Sequence, residues 1–238
     1  MFTGLIREIG KLRGRSRRAG VMRLDIEAAN TAATANLGDS IAVNGICLTV
    51  TACKGSVFSV EAASETRNLT TLTTWRSGQQ LHLEPALRAG DALDGHLVQG
   101  HVDGTGRVLA VKRDGGGLLV TVGLPPELAR FLTPKGSVAV DGVSLTVDAG
   151  PFRDRFTVNL IPHTLAATSF QRLRAGRQVN LEMDVLVKAA RTGQSLASLP
   201  AWAGEQPATR PAGKSLTVEE LQAKGFRRRG ARGPGGSR

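Results

Sequence analysis

Residues 38–51 read GDSIAVNGICLTVT, and residues 135–148 read KGSVAVDGVSLTVD. Laid side by side without a gap, seven of the fourteen positions are identical, where average residue usage gives about one by chance. The match runs on in both directions. Upstream, TGLIREIGKL (3–12) aligns with QGHVDGTGRV (99–108), and downstream FSVEAASETRNLTTL (58–72) aligns with FTVNLIPHTLAATSF (156–170). GQQLHLE (78–84) then aligns with GRQVNLE (176–182), and the offset drifts only from 96 to 98. Self-similarity on this scale means one domain present twice in tandem.

Each copy reads as β structure. Ile41–Val43 and Ile46–Val50 flank Asn44-Gly45, and Val138–Val140 and Val143–Val147 flank Asp141-Gly142. Both dipeptides favour the two-residue type I′ turn, whose central positions need positive φ. Further apolar runs of strand length recur at Met22–Ile26, Val57–Ala62 and Leu81–Leu83, and at Gly117–Val122, Arg155–Leu160 and Val179–Met183. Five or six short strands in about 90 residues fit a small closed barrel, which leaves no strand edge exposed. The fold class is therefore all-β, with tandem homologous barrels at 1–90 and 91–185. Asp91–Gln99 joins them. A short helix is expected at Pro125–Leu132, opened by its prolines, with a weaker counterpart at Asn30–Leu37. Beyond Asp184 a helix is expected to begin at Val185–Ala190 and another at Leu216–Lys224, with a linker over 200–213.

The net charge of +11 points at first to nucleic acid. Its distribution points elsewhere. Residues 186–238 hold ten Lys/Arg against three Glu, a net of +7, which leaves +4 on residues 1–185. The excess sits in a Gly/Arg-rich tail over 205–238, a composition that buries too little apolar surface to fold alone; it is expected to be disordered. Aromatic residues make up 4% of the chain and tyrosine is absent, so an RNA-binding barrel that stacks bases on aromatics is disfavoured. No run approaches the length of a membrane span, and the N-terminus does not read as a signal peptide, so a cytoplasmic protein is expected. Cys47 and Cys53 make neither a disulfide framework nor a metal-ligand spacing. There is no P-loop, dinucleotide fingerprint, nucleophile elbow or Cys/His cluster.

Candidate chemistry falls on a few residues. The histidines are His82, His96, His101 and His163. His96 and His101 lie in GHLVQGHVDG (95–104), where glycine permits close backbone approach to a ligand. Two histidines five apart without a third ligand do not make a metal site. Imidazole titrates near neutrality and suits proton transfer, although a buried structural histidine is an equally ordinary reading. Cys47 and Thr49 share one strand face, as do Ser144 and Thr146. Alone they read as ordinary half-buried strand residues. Duplicated, they give one fold two similar pockets.

Five ordered segments carry a specific resemblance: MFTGLI (1–6), NGICLTV (44–50), GHLVQGHVDG (95–104), DGVSLTV (141–147) and IPHT (161–164). Together, across residues 1–187, they resemble riboflavin synthase of the α-subunit type. The resemblance implies two six-stranded closed barrels, a C-terminal helix and a homotrimer, with no cofactor and no metal. It implies dismutation of two molecules of 6,7-dimethyl-8-ribityllumazine by four-carbon transfer, giving riboflavin and 5-amino-6-ribitylamino-uracil. Each barrel would hold one lumazine, and the working site would lie between the first barrel of one subunit and the second barrel of its neighbour. Association with lumazine synthase is a further expectation, and nucleic-acid or membrane partners are not expected.

The resemblance implies roles for particular residues. His101 and Ser144 lead for proton transfer and nucleophile positioning, with Cys47 and His96 behind them. Phe2 would pack near a ring. The binding segments of the first barrel are Gly4, Leu5 and Ile6, then Cys47, Leu48 and Thr49, then Glu61, Ala62, Ala63, Ser64, Glu65 and Thr66. Those of the second are Gly100, His101 and Val102, then Lys135, then Asp141, Gly142, Val143, Ser144, Leu145 and Thr146, then Asn159, Leu160, Ile161, Pro162, His163 and Thr164. Asp184 would join the site between subunits. A non-catalytic lumazine or flavin carrier on the same barrels is the alternative. Two features depart from the family. Gly193 and Pro200 interrupt the C-terminal helix expected over 186–204, where the trimer contact belongs, and the basic tail has no counterpart. Deleting residues 205–238 is expected to leave turnover largely intact; a large loss in a steady-state assay would instead place the tail in the site or the assembly.

Overall fold

A computed structural model of the chain describes residues 1–18 and 20–192. The helix expected at Leu216–Lys224, the linker, the basic tail and most of the 186–204 segment lie outside the described residues. The first copy contains β1 (Glu8–Arg18), β2 (Val21–Glu27), β3 (Ser40–Val43), β4 (Ile46–Lys54), β5 (Val57–Ala62) and β6 (Gln80–Pro85). They close in the order β1-β2-β5-β4-β3-β6, with β1 pairing β6. The second copy contains β7 (Gly104–Asp114), β8 (Gly117–Gly123), β9 (Ser137–Val140), β10 (Val143–Thr146), β11 (Arg155–Leu160) and β12 (Gln178–Met183). Its order is the same, strand for strand: β7-β8-β11-β10-β9-β12. Here β10 meets β11 only through the Val147–Val158 bridge, extended by an Asp148 N–H to Thr157 carbonyl bond of 2.8 Å.

Alternation explains the cores. In β4, Ile46, Leu48 and Val50 are buried while Thr49 and Thr51 are exposed; in β10, Val143 and Leu145 are buried and Thr146 exposed. Successive strand residues face opposite ways, so one face of each hairpin fills its barrel. The first core gathers Leu24, Ile26, Phe58, Val60, Trp75 and Leu81, and the second gathers Val120, Phe156, Val158, Phe170, Val179 and Leu181. The long strands β1 and β7 are not among the strands read from the sequence, although β7 carries the apolar run Val108–Val111. Each is held by pairing on both sides and bends at a bulge, between Leu12 and Gly14 and between Val108 and Ala110.

The helices are shorter than the sequence suggests. Those expected at Asn30–Leu37 and Pro125–Leu132 are α1 (Ala29–Thr34) and α3 (Pro126–Ala129). After α3 the chain tightens, and Phe131 and Leu132 bond to carbonyls three residues back. Two more helices, α2 (Ser64–Leu69) and α4 (Pro162–Ala167), follow β5 and β11, each leading into a 3₁₀ turn. Thr70 and Thr168 cap those turns, accepting from Leu72 and Phe170 N–H at 3.3 Å each. α5 (Val185–Thr192) begins where a helix was expected. Lys188 on it reaches Asp103 at 2.9 Å.

The barrels meet at the two hairpin turns. Asn44 and Asp141 have φ of 46° and 45°, and Gly45 and Gly142 have 78° each, as type I′ turns require. A Cβ on Gly45 would lie 2.7 Å from the Gly142 nitrogen, and one on Gly142 would lie 2.6 Å from the Gly45 nitrogen. Glycine is thus needed at each for the backbone angle and for its twin.

Around this contact equivalent residues pair across a pseudo-two-fold. Asn180 of β12 accepts from Thr71 N–H and donates to the Asn44 carbonyl, both at 2.8 Å. Its counterpart in the first copy is His82, whose Nδ1 lies 3.0 Å from the Asp141 carbonyl and whose Nε2 lies 3.0 Å from the Ser169 amide nitrogen. A carbonyl only accepts and an amide N–H only donates, so these partners select the neutral tautomer with hydrogen on Nδ1. The imidazole therefore does what the Asn180 amide does. Burial pushes His82 down to about 4; the Asp141 carbonyl opposes this and the Arg177 charge adds to it.

An acid sensitivity follows. Unfolded, His82 binds a proton near 6.5, and folded only near 4. The unfolded state therefore binds more protons in that window, and stability is lost as pH falls through it, by roughly 3 kcal/mol from this residue. In urea melts at pH 7 and pH 4.5, His82→Asn is expected to keep the inter-barrel bonds and lose less stability on acidification than the native chain. His82→Ala, which leaves buried partners unpaired, is expected to cost about 2 kcal/mol or more at both pH values.

Candidate functional site

Two arms precede the barrels, Phe2–Ile6 and Val98–Val102, and they are equivalent under the 96-residue offset. They bridge each other as Phe2 N–H to Val98 carbonyl at 2.7 Å and Val98 N–H to Phe2 carbonyl at 3.1 Å. Each arm is then clamped by a buried glutamate from the last strand of its own barrel. Glu84 accepts from Thr3 N–H, Thr3 Oγ1 and Gly4 N–H at 2.6, 2.7 and 2.9 Å. Glu182 accepts from Gln99 and Gly100 N–H at 2.7 and 2.9 Å. Burial raises both carboxyls while these donors oppose it, and Glu182 reaches about 7.

The arms then cross. The Gly4 carbonyl accepts from Ser144 N–H at 2.8 Å, and the Gly100 carbonyl accepts from Cys47 N–H at 2.9 Å. Ile6 packs on the core of the second barrel and Val102 on that of the first. Both glycines have φ of 77°, and a Cβ on either would come within 2.6 Å of the Cβ of the residue it contacts. The expected grouping by barrel is corrected accordingly. Gly4, Leu5 and Ile6 belong with Ser144 and the second barrel, and Gly100, His101 and Val102 with Cys47 and the first. Sequence order suggested that an arm serves the barrel it leads into; the crossing is set by the packing of the two turns.

The remaining candidates sort into two matched groups. In the first, Thr49 sits opposite Glu61 across β4 and β5, and Ala62–Thr66 turn into α2. In the second, Thr146 ends β10 beside the Val147–Val158 bridge, and Asn159–Thr164 turn into α4. Glu65 and His163 are exposed at equivalent places. Leu48, Leu145, Ala62 and Leu160 are buried in the cores, so their side chains are not available to a ligand. Asp141 and Gly142 belong to the inter-barrel turn, where Asp141 pairs with Arg177 at 2.9 Å. Lys135, in a turn at φ 59°, is exposed and paired with Asp148 at 2.9 Å. Phe2 is fully buried between the barrels against Ala42, Val98 and Ala139.

The reactive candidates are arranged differently from their expected ranking. Ser144 Oγ lies 2.6 Å from His96 Nδ1. His96 in turn donates its backbone N–H to the Thr3 carbonyl at 3.2 Å. Burial lowers the pKa of His96 and the Asp184 charge opposes that, which favours the neutral ring. His101 is exposed on the other arm, next to the Gly100 contact with Cys47. Of the four reactive candidates, His96 is thus the one in contact with Ser144, and His101 lies on the side of Cys47.

Two polar atoms are buried without a hydrogen-bond partner among the described residues, His96 Nε2 and Arg67 Nε. One belongs to each group, since Arg67 lies on α2 directly after Thr66. Such atoms are rare in folded proteins and call for a specific explanation. Arg67, Glu84 and Glu182 were missed by sequence reading. The recurrence of glutamate in HLE (82–84) and NLE (180–182) was visible, but not that it meets an amide pair. A cleft of about 540 Å³ lies elsewhere. It lies over the pseudo-two-fold, lined by Gln79, Arg107, Arg172 and Arg177 among others, and touches none of Cys47, His96, His101 or Ser144. No group of three metal-ligating side chains occurs among the described residues.

The model of the lumazine binding domain family matches the chain twice, over residues 3–86 and 99–184. Riboflavin synthase from Brucella abortus is 46% identical over 201 residues, spanning 82% of this chain and 98% of its own. The riboflavin synthases of Bacillus subtilis and Mycobacterium tuberculosis are 39% and 41% identical, each over 79% of this chain. The chain belongs to the riboflavin synthase family. Among solved structures, the LumP complexes with 6,7-dimethyl-8-(1′-D-ribityl)lumazine and with riboflavin match at TM-scores of 0.70 and 0.71, over 77% of this chain and 99% of theirs. At 23% identity they share the fold. No helix among the described residues is long and apolar enough to cross a membrane.

The electrostatics of His96 give a direct check. By NMR titration its imidazole is expected to have its midpoint below 6.5. Asp184→Asn removes the negative charge that favours imidazolium, so it is expected to lower the midpoint further. An upward shift would contradict the assigned environment.

Proposed function

We propose that this protein is a riboflavin synthase. It takes two molecules of 6,7-dimethyl-8-ribityllumazine, moves a four-carbon unit from one to the other, and releases riboflavin and 5-amino-6-ribitylamino-uracil. The observation that carries the reading is the matched pair of residue groups built by the crossed arms, Gly4 against Ser144 and Gly100 against Cys47. Each has one arm, one strand with a small nucleophilic or hydroxyl side chain, and one β-to-helix turn. A reaction that uses the same molecule as donor and acceptor needs two sites of like shape and unlike chemistry. Identities of 37–46% to curated riboflavin synthases support it over the carrier reading.

The residues suit the chemistry. The acidic proton of the substrate is on the C7 methyl, whose carbanion delocalises into the ring. In the second groove, neutral His96 against Ser144 supplies a base next to a hydroxyl. Backbone amides and carbonyls of β4, β10 and the β-to-helix turns would read the pyrimidine edge. Exposed Glu65 and His163 and half-buried Thr66 and Thr164 would meet ribityl hydroxyls. Arg67 Nε, unpaired in the first groove, is a donor for a ligand oxygen. Holding both lumazines in register supplies rate through orientation. Each groove takes one lumazine, and pairing the first barrel of one subunit with the second of its neighbour would bring the two together. This makes the working enzyme a homotrimer, expected in the cytoplasm. Association with lumazine synthase, which would supply the substrate, belongs to the same reading. The domain limits proposed are 1–90 and 91–185, followed by a trimerisation segment at 186–204.

The test needs only the protein and the lumazine. Riboflavin absorbance should rise without any cofactor; tight binding with no riboflavin would make the protein a carrier. Ser144→Ala and His96→Gln should each lower kcat by about 100-fold while changing lumazine affinity far less. An equal loss of both quantities would remove the roles assigned to them.

A further inference from the structure

Glu84 and Glu182 are the most deeply buried acids whose partners are all backbone or hydroxyl donors of an arm. Neither takes part in an ion pair among the described residues. A carboxylate inside a protein is costly unless its lone pairs are met by donors. Here the donors are successive amides of a short arm, so the carboxylate fixes the orientation of the following peptide. That peptide's carbonyl is the group bonded to the amide of Ser144 or Cys47.

The connectivity crosses the molecule. Glu84 on β6 of the first barrel holds Thr3 and Gly4, and Gly4 holds Ser144 of the second barrel. Glu182 on β12 of the second barrel holds Gln99 and Gly100, and Gly100 holds Cys47 of the first. The glycine Cβ contacts of 2.6 Å show how little play the second step of each chain allows. The Glu84 chain also reaches the base, since the Thr3 carbonyl accepts from His96 N–H at 3.2 Å.

We propose that Glu84 and Glu182 are positioning residues acting in trans between the barrels: each sets the placement of the reactive side chain of the other barrel through the arm it clamps. The proposal rests on the reading of Ser144 and Cys47 as the reactive residues of the two grooves. It makes the two half-sites of one chain mutually dependent. A first barrel with a damaged clamp would leave its own Cys47 in place and disturb Ser144.

Thiol alkylation reads this without substrate or turnover, so it stands or falls separately from the synthase assignment. One full-length protein keeps Cys47 as its single thiol through Cys53→Ser. A second carries a single thiol at position 144 through Cys47→Ser, Cys53→Ser and Ser144→Cys. Each is combined with Glu84→Gln or Glu182→Gln, and the iodoacetamide rate is measured. Glutamine turns an N–H₂ group toward one backbone N–H, so one charge-assisted bond is replaced by a donor–donor clash. Losing such a bond should loosen the clamped arm and raise the rate by about tenfold. Glu182→Gln should do so at position 47 and leave position 144 within about twofold, and Glu84→Gln should do the reverse. An effect confined to the barrel that carries the glutamate, or equal effects at both thiols, overturns the proposal. Should a glutamine variant fail to fold, the aspartate variant at the same position, retracted by one methylene, is read in the same way.

Discussion

Two glycines in contact set the geometry of this molecule. Gly45 and Gly142 each occupy a turn position that needs positive φ, and each stands where a Cβ on its twin would strike backbone. Because neither has a side chain, the two hairpins pack turn against turn. That packing places β6 and β12 close enough for His82 and Asn180 to bond across the pseudo-two-fold, and it brings the mouth of each barrel within reach of the other's arm. The crossed arms, the buried glutamates and the two grooves all follow from this contact.

The symmetry holds for the backbone and is broken in the side chains. Where one copy uses an asparagine at the junction, the other uses a histidine held neutral, and the same two bonds are made. Cys47 stands for Ser144, Arg67 for Leu165 and Asn44 for Asp141. Substitutions of this kind are tolerated because the contacts needed for assembly fall mainly on backbone groups, which every residue carries. The side chains of the grooves are then free to diverge. Divergence is what a reaction with two identical substrates in unlike roles demands. Ser144 is hydrogen-bonded to His96, whereas the histidine on the side of Cys47 is the exposed His101.

Neither barrel owns a complete site. The strand that carries the reactive residue and the arm that holds it come from different copies. Acid reaches the junction between them, since protonating His82 requires breaking its bond from the Ser169 amide. The pressure to keep both barrels in one chain is physical, because each arm must be delivered to its partner at an effective concentration that a tether guarantees.

Much of this was legible in the sequence, for an identifiable reason. A duplication is a statement about one dimension, and the matched segments, the Asn-Gly and Asp-Gly turns and the apolar alternation around them fix strands, hairpins and barrel class through local sterics and periodicity. The motifs also led to Cys47, His96, His101 and Ser144. The sequence reading did not assign β1 and β7, which pair with a strand on each side. It did not show Glu84 and Glu182 as clamps or His82 as a neutral stand-in for an amide, because a buried polar group is explained only by the partner it meets. It did not show that His96 is the histidine in contact with Ser144, and it grouped each arm with the barrel it leads into, whereas the arms cross. Which residues exist twice was decided along the chain. Which copy's residues work together was decided by a glycine contact between turns 97 residues apart, and close packing of that kind has no signature in one dimension.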